Sequence, residues 1–229
     1  MRGLVRVGAA VPSLALGNVK ENMKRHLAMM REAKEKHVSI VTFPELSLTG
    51  YTCGDLFFQR RLLDDVTDAL LTLKDEMPEG ILAVVGAPLE IEGALYNCAV
   101  VLHKGEIISA VPKTFLPNNG EFYEKRWFQS GDARRDASVA IPKLKTDVCR
   151  QAIFETEDGV RFGIELCEDL WAPLPPSTML SVEGAEIILN LSASNELLSK
   201  REYRQQLISQ QSARCQCGYV SVSYTHLRA

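Results

Sequence analysis

No stretch of the chain approaches the roughly 20 consecutive apolar residues that a membrane-spanning helix needs; its longest uncharged runs are strand-sized. An export signal is not expected either. The opening "MRGLVRVGAAVP" has Arg6 inside its apolar stretch and reads as a strand, so a cytoplasmic location and reduced thiols are expected. The six cysteines show no zinc-ligand spacing. Cys215 and Cys217, one residue apart, match neither a CxxC redox pair nor a zinc knuckle, and no metal site is expected. No linker rich in Gly, Ser or Pro, no charge block and no internal repeat divides the 229 residues, which favours one large domain. Basic residues are scattered and the formal net charge is −3, which argues against nucleic acid as a partner.

What remains is a soluble, globular composition, 46% hydrophobic and 24% charged, long enough to bury a sizeable core. Its periodicity alternates between strand and helix. "LVRVGAAV" (4–11) reads as a strand. Asn18 with Glu21 forms a capping-box pattern, and Val19, Met23, Leu27 and Met30 mark one helix face up to about His37. "SIVTFPE" (39–45) is a short buried strand, and Phe58, Leu62, Val66, Ala69, Leu73 and Met77 follow helical spacing until Pro78. "ILAVVGAPLEI" and "LYNCAVVLHKGEIISAVP" predict consecutive strands turning at Glu92-Gly93 and Lys104-Gly105. Lys113 to about Val148 reads as irregular. A hairpin around Asp158-Gly159, a strand "AEIILNLSAS", a helix opened by Ser199 and Glu202, and a strand "GYVSVSY" complete the pattern. Helices alternating with continuous apolar strands predict an α/β domain whose sheets are covered on their faces.

Cys167 ends an apolar run among Glu165, Glu168 and Asp169, carboxylates that should raise a thiol's pKa. A cysteine there is most often a small core residue. Were it a nucleophile, its usual base would be histidine, but His26, His37, His103 and His226 all lie away from strand-end turns. A carboxylate base with a cationic partner is the remaining option. Glu45 ends "SIVTFPE", Lys113 follows "GEIISAVP" and Cys167 ends "VRFGIELC"; loops leaving strand ends are common places for catalytic groups. Singly, such a glutamate is usually a cap or a surface charge, and such a lysine is usually solvated.

The combination "FPELSLTGY", "PKTFLPNNGEFYEKRWF" and "ELCEDLW" is more specific. It resembles the nitrilase superfamily of carbon-nitrogen hydrolases over roughly residues 4–224. The resemblance implies a four-layer α-β-β-α sandwich, with the helix faces at 19–30 and 58–77 buried against the sheets. It also implies a triad in which Lys113 offsets the charge around Cys167 and helps hold an oxyanion. Glu45 would act as general base, Cys167 as nucleophile, and a second glutamate would support lysine and cysteine. Glu121 and Glu124 are the choices for that support, and Glu121 matches the superfamily position better.

The flanks "CEDLW", "LTGYTCGDLF" and "NLSASN" resemble the glutamine amidotransferase domain of glutamine-dependent NAD synthetases. That implies L-glutamine as substrate. Ser194 and Lys200 then match substrate contacts, Glu124 and Glu168 would face the α-ammonium, and Phe122 and Trp171 would wall the pocket. Asn119, where some relatives carry tyrosine, is a further expected substrate contact. The amidotransferase needs no cofactor of its own. ATP and Mg belong to a synthetase domain, normally on the same chain, whose "SGGxDS" motif is missing here. The expected unit is therefore one carbon-nitrogen hydrolase domain over 1–229, truncated at its carboxyl end and prone to self-associate, with "THLRA" not continuing the pattern. A homo-oligomer is expected for the full-length protein. Two alternatives remain open: a stand-alone amidase or carbamoylase, and a non-catalytic binding or scaffold domain.

Overall fold

The computed structural model describes residues 4–133 and 138–224, so what was expected of His226 and of "THLRA" lies outside the described residues. Strand β1 (Val7–Ala9) leads to helix α1 (Val19–Glu35). Asn18 caps that helix: its Oδ1 accepts from the Glu21 N–H at 3.1 Å. Next come β2 (Ile40–Thr42), a 3₁₀ segment at Tyr51–Phe58, and α2 (Arg60–Glu76). Three long strands follow: β3 (Leu82–Ile91), β4 (Ala94–His103) and β5 (Glu106–Pro112). After the short α3 (Glu124–Trp127) come β6 (Ser138–Ile141), β7 (Thr146–Cys149), β8 (Ile153–Glu155) and β9 (Arg161–Leu166). The described chain closes with α4 (Pro176–Val182), β10 (Ile187–Leu191), α5 (Lys200–Cys215) and β11 (Gly218–Val222).

The strands form two sheets, ordered β1-β2-β3-β4-β5-β7-β6 and β11-β10-β9-β8. Alternation along the strands shows how they stack. Leu82 and Val84 of β3, Ala99 and Val101 of β4, and Phe162, Ile164, Leu189 and Leu191 of the second sheet share one apolar layer between the sheets. The intervening residues Ala83, Val85, Ala87, Val100 and Leu102 face the other way, onto Leu27, Met30, Val66, Leu70 and Leu73 of α1 and α2. On the far side, Leu180 packs with Ile188 and Cys217, so α4 and α5 cover the second sheet. Helix, sheet, sheet, helix is the four-layer sandwich expected from the sequence. The strands read as unbroken apolar runs because both of their faces are buried.

Three local expectations are corrected. The stretch 113–148 is not irregular throughout: β7 pairs parallel with β5 at Ala110↔Val148, and β6 pairs antiparallel with β7. β6 is a four-residue edge strand and β7, between it and β5, is equally short; Pro142 and Lys143 fall in the turn between them and Lys145 and Asp147 add charge, so neither makes an apolar run. The helix expected after Ser199 does begin there, as α5, but Ser199 makes no side-chain capping bond. It sits in the left-handed region, φ 63°, which turns its side chain off the first turn of α5. Phe58 is 57% exposed rather than buried, because α2 starts only at Arg60, after the 3₁₀ segment.

Candidate active site

Both β2 and β5 run in the same direction, since β2 is parallel to β3 and two antiparallel pairings separate β3 from β5. Glu45 and Lys113 therefore leave the first sheet at one edge. The Glu45 turn is pressed against β3 at Gly86, where a Cβ would lie 2.4 Å from both Leu46 N and Pro44 O. Leu48 N–H donates to Gly86 O at 3.1 Å, and the Phe43 N–H to Val84 O at 2.9 Å. Behind the turn, His26 Nδ1 donates to Asn22 O at 2.7 Å, so its Nε2 accepts from Ser47 Oγ at 2.9 Å. Burial lowers this imidazole's pKa to about 4, and the neutral ring serves as a strut rather than a base.

The charged centre is fully enclosed. Lys113 Nζ lies 2.5 Å from Glu45 Oε1 and 2.6 Å from Glu124 Oε1, and all three side chains are at most 1% exposed. Asn97 Nδ2 donates to Glu45 Oε1 at 2.7 Å, and Tyr51 OH donates to Glu124 Oε1 at 2.6 Å. Glu45 Oε2 is buried and has no hydrogen-bond partner. Burial, offset by Lys113, raises the Glu45 pKa to about 7. For Lys113, burial opposes the charge, yet the carboxylates of Glu124 and Glu45 outweigh it and hold the ammonium well above its ordinary value.

Cys167 turns sharply out of β9 with φ 43°, a left-handed backbone that costs a non-glycine residue on the order of 1–2 kcal/mol. Its thiol accepts from Ser192 Oγ at 3.3 Å and from the Ala193 N–H. Burial first, then the Glu45 charge, pushes the thiol up to about 12, while Lys113 and those two donors pull it down. The repelling carboxylate is thus Glu45 and not the three sequence neighbours. Glu165 faces away and accepts from Ser177 N–H and Tyr219 OH, and Asp169 is turned onto backbone N–H groups. Glu168 is half-buried, with its pKa raised by burial and lowered by Lys113.

The supporting glutamate is Glu124 rather than Glu121. Glu121 lies on an exposed turn and accepts from Asn195 Nδ2. Glu124 opens α3, and one turn later Phe128 packs 5.0 Å from Phe57, so this face of the turn points inward. Enclosure also removes Glu124 from the expected α-ammonium contacts. Around the rim, Lys200 Nζ lies 5.8 Å from the Phe122 ring centroid and 5.3 Å from that of Trp171. Phe122 meets Tyr51 edge-on at 6.1 Å, which joins the rim to the charged centre. Glu168 and Trp171 border a cavity of about 460 Å³ together with Thr114 and Phe115. Ser194 is buried and accepts from Arg204 Nη1 at 3.1 Å. Asn119 is exposed, and its carbonyl accepts from the Phe122 N–H. Sequence reasoning missed Tyr51, Asn97, Ser192 and Arg204. Asn97 left a trace as a polar residue inside the apolar run of β4, and Tyr51 and Ser192 lie inside the quoted "FPELSLTGY" and "NLSASN". No group of three or more metal-ligating side chains occurs among the described residues.

The carbon-nitrogen hydrolase family model matches residues 6–224. A glutamine-dependent NAD(+) synthetase of Mycobacterium tuberculosis is 37% identical over 221 residues, covering 95% of this chain and 32% of that one. Its counterpart in Rattus norvegicus is 30% identical, covering 82% and 27%. This chain thus spans about a third of the length of such relatives. Among solved structures, a glutamine-dependent NAD(+) synthetase from Cytophaga hutchinsonii superposes with TM-score 0.85 at 29% identity, over 98% of this chain and 37% of that one. An amidase from Nesterenkonia shares the fold, with TM-score 0.78 at 15% identity and coverage of 98% and 78%. With its strand-end glutamate, lysine and cysteine gathered in one enclosed centre, the chain belongs to the carbon-nitrogen hydrolase family.

Proposed function

We propose that the chain is the glutamine-hydrolysing domain of a glutamine-dependent NAD synthetase, releasing ammonia for a synthetase domain that converts deamido-NAD to NAD with ATP and Mg. The observation that carries the chemistry is Lys113 held 2.5 Å from Glu45 beside a thiol that senses both charges. Glu45, through its unpartnered Oε2, takes the Cys167 proton as sulfur attacks the side-chain amide carbon. The carbonyl electron pair moves to oxygen, where Lys113 donates; two of its three N–H bonds are taken by the glutamates, which leaves one for the oxyanion. Collapse breaks the C–N bond, and nitrogen leaves as ammonia with the proton from Glu45. Water, deprotonated by Glu45, then attacks the thioester and the C–S bond breaks, giving glutamate and the thiol. No cofactor enters these steps.

The rim supports an α-amino acid amide over a simple amide. Lys200 and Arg204, one helical turn apart on α5, offer cations for an α-carboxylate, and half-buried Glu168 offers an anion for an α-ammonium. A diazo-ketone analogue of glutamine is expected to label Cys167 in the intact protein, with glutamine protecting. Mass spectrometry that finds the label on Cys53 or Cys215 overturns the reading.

A further inference from the structure

The catalytic corners are carried by different sheets: Glu45 and Lys113 follow strands of the first, and Cys167 follows a strand of the second. The layer between the sheets is apolar, built from side chains such as Val84, Val101, Phe162 and Leu189. Apolar attraction is non-directional, so it sets the spacing of the sheets and does little to fix their sliding. A productive site needs its groups placed within about 0.5 Å, which calls for directional bonds. Asp169 supplies them. Its Oδ1 accepts from Thr114 N–H at 3.1 Å and Phe115 N–H at 2.7 Å, the two residues after Lys113. Its Oδ2 accepts from Leu166 N–H at 2.9 Å, the residue before Cys167. Two further bonds cross between the sheets here, Glu45 N–H to Ser192 O at 3.4 Å and Tyr224 OH to Glu45 O, and both act on Glu45 rather than on Lys113.

We infer that Asp169 is a positioning residue that clamps the Lys113 strand end to the Cys167 corner and so sets the distance between the oxyanion donor and the nucleophile. This rests on the triad chemistry proposed above. The side chain is 1% exposed and all of its hydrogen bonds go to backbone N–H groups. Three N–H donors converging on two oxygens suit a carboxylate, and the Leu166 and Phe115 donors pull its pKa down against the burial that raises it to about 8. Asparagine would keep one oxygen for Thr114 and Phe115 but turn an NH₂ toward the Leu166 N–H, untying the cysteine side alone.

The test uses the intact protein carrying Asp169→Asn or Asp169→Ala, with active sites counted by stoichiometric diazo-ketone labelling of Cys167. Expected is a fall of about 10- to 100-fold in kcat per labelled site with KM for glutamine changed less than about threefold, the scale of a misplacement near 1 Å. A side chain that only stabilises the fold would lower the number of labelled sites and leave kcat per site intact, and that result overturns the inference. Should neither variant fold, an amide-to-ester replacement that removes only the Phe115 N–H decides alone: unchanged kcat per site overturns it, and a severalfold fall supports it. A wild-type protein without Cys167-dependent glutamine hydrolysis overturns the underlying reading instead, and the inference with it.

Discussion

Replacing Lys113 by methionine tests the enclosed ion triad through stability rather than turnover. The substitution keeps the apolar stem and deletes the ammonium that bridges Glu45 and Glu124. Removing one partner of a buried pair typically costs about 3–5 kcal/mol, because the remaining charge is uncompensated. The cost should depend on pH. In the wild type Glu45 releases its proton at about 7 with Lys113 lowering that value, and in the variant it releases it at a higher pH. Above pH 7 the folded variant therefore holds a proton that both the folded wild type and the unfolded chains have lost. A folded state that binds the extra proton loses stability as pH rises, by about 1.4 kcal/mol per unit. Between pH 7 and pH 9 the deficit should thus grow by up to about 3 kcal/mol. Urea unfolding of both proteins at pH 6 and pH 9 measures it, and adding Glu45→Gln should abolish the pH dependence. A deficit that is flat or shrinks toward pH 9 refutes the triad as an ion cluster.

The pKa of Glu45 also places the acid limb of kcat/KM for glutamine. Activity should rise as pH increases through about 7, when the base becomes ionised, and a limb near the ordinary carboxylate range would contradict its enclosure. Gly86→Ala forces a methyl against Leu46 N and Pro44 O at 2.4 Å, so the Glu45 turn must move. A loss of about 1–3 kcal/mol in stability and a larger proportional loss of kcat are expected, and an alanine variant with wild-type kcat would show that the turn's position is unimportant.

Sheets covered on their faces were legible because strands buried on both faces must be continuous apolar runs, as in "ILAVVGAPLEI", and helices buried on one face must repeat, as in α1; their arrangement in four layers came from the family resemblance. The edge strand β6 and its neighbour β7 escaped notice because strands this short at the margin of a sheet need little apolar length and tolerate Pro142 and the charges between them. At the site, Glu45, Lys113 and Cys167 stood out by a shared position after a strand. Choosing between Glu121 and Glu124 depended on which side of a short turn faces inward, and the spacing of Glu124 to Phe128 held that information. Carboxylates next to Cys167 in sequence suggested repulsion. In the fold they are spent on other partners, and the carboxylate that acts on the thiol lies more than a hundred residues upstream. Tyr51 and Ser192 were quoted inside "FPELSLTGY" and "NLSASN" without a role and Arg204 left no trace, because a single polar side chain carries no periodicity and its partners are fixed only when distant segments meet.

The bond from Tyr224 to the Glu45 carbonyl joins residues 179 positions apart. Synthesis proceeds from the amino end, so the base leaves the ribosome long before the side chain that anchors its backbone. Lengths between residues 113 and 166 hold Glu45 and Lys113 without Cys167, and lengths from 167 to 223 hold all three without the Tyr224 anchor. The enclosed centre therefore reaches its final form in one step, once residue 224 has emerged and its hydroxyl closes on the Glu45 carbonyl.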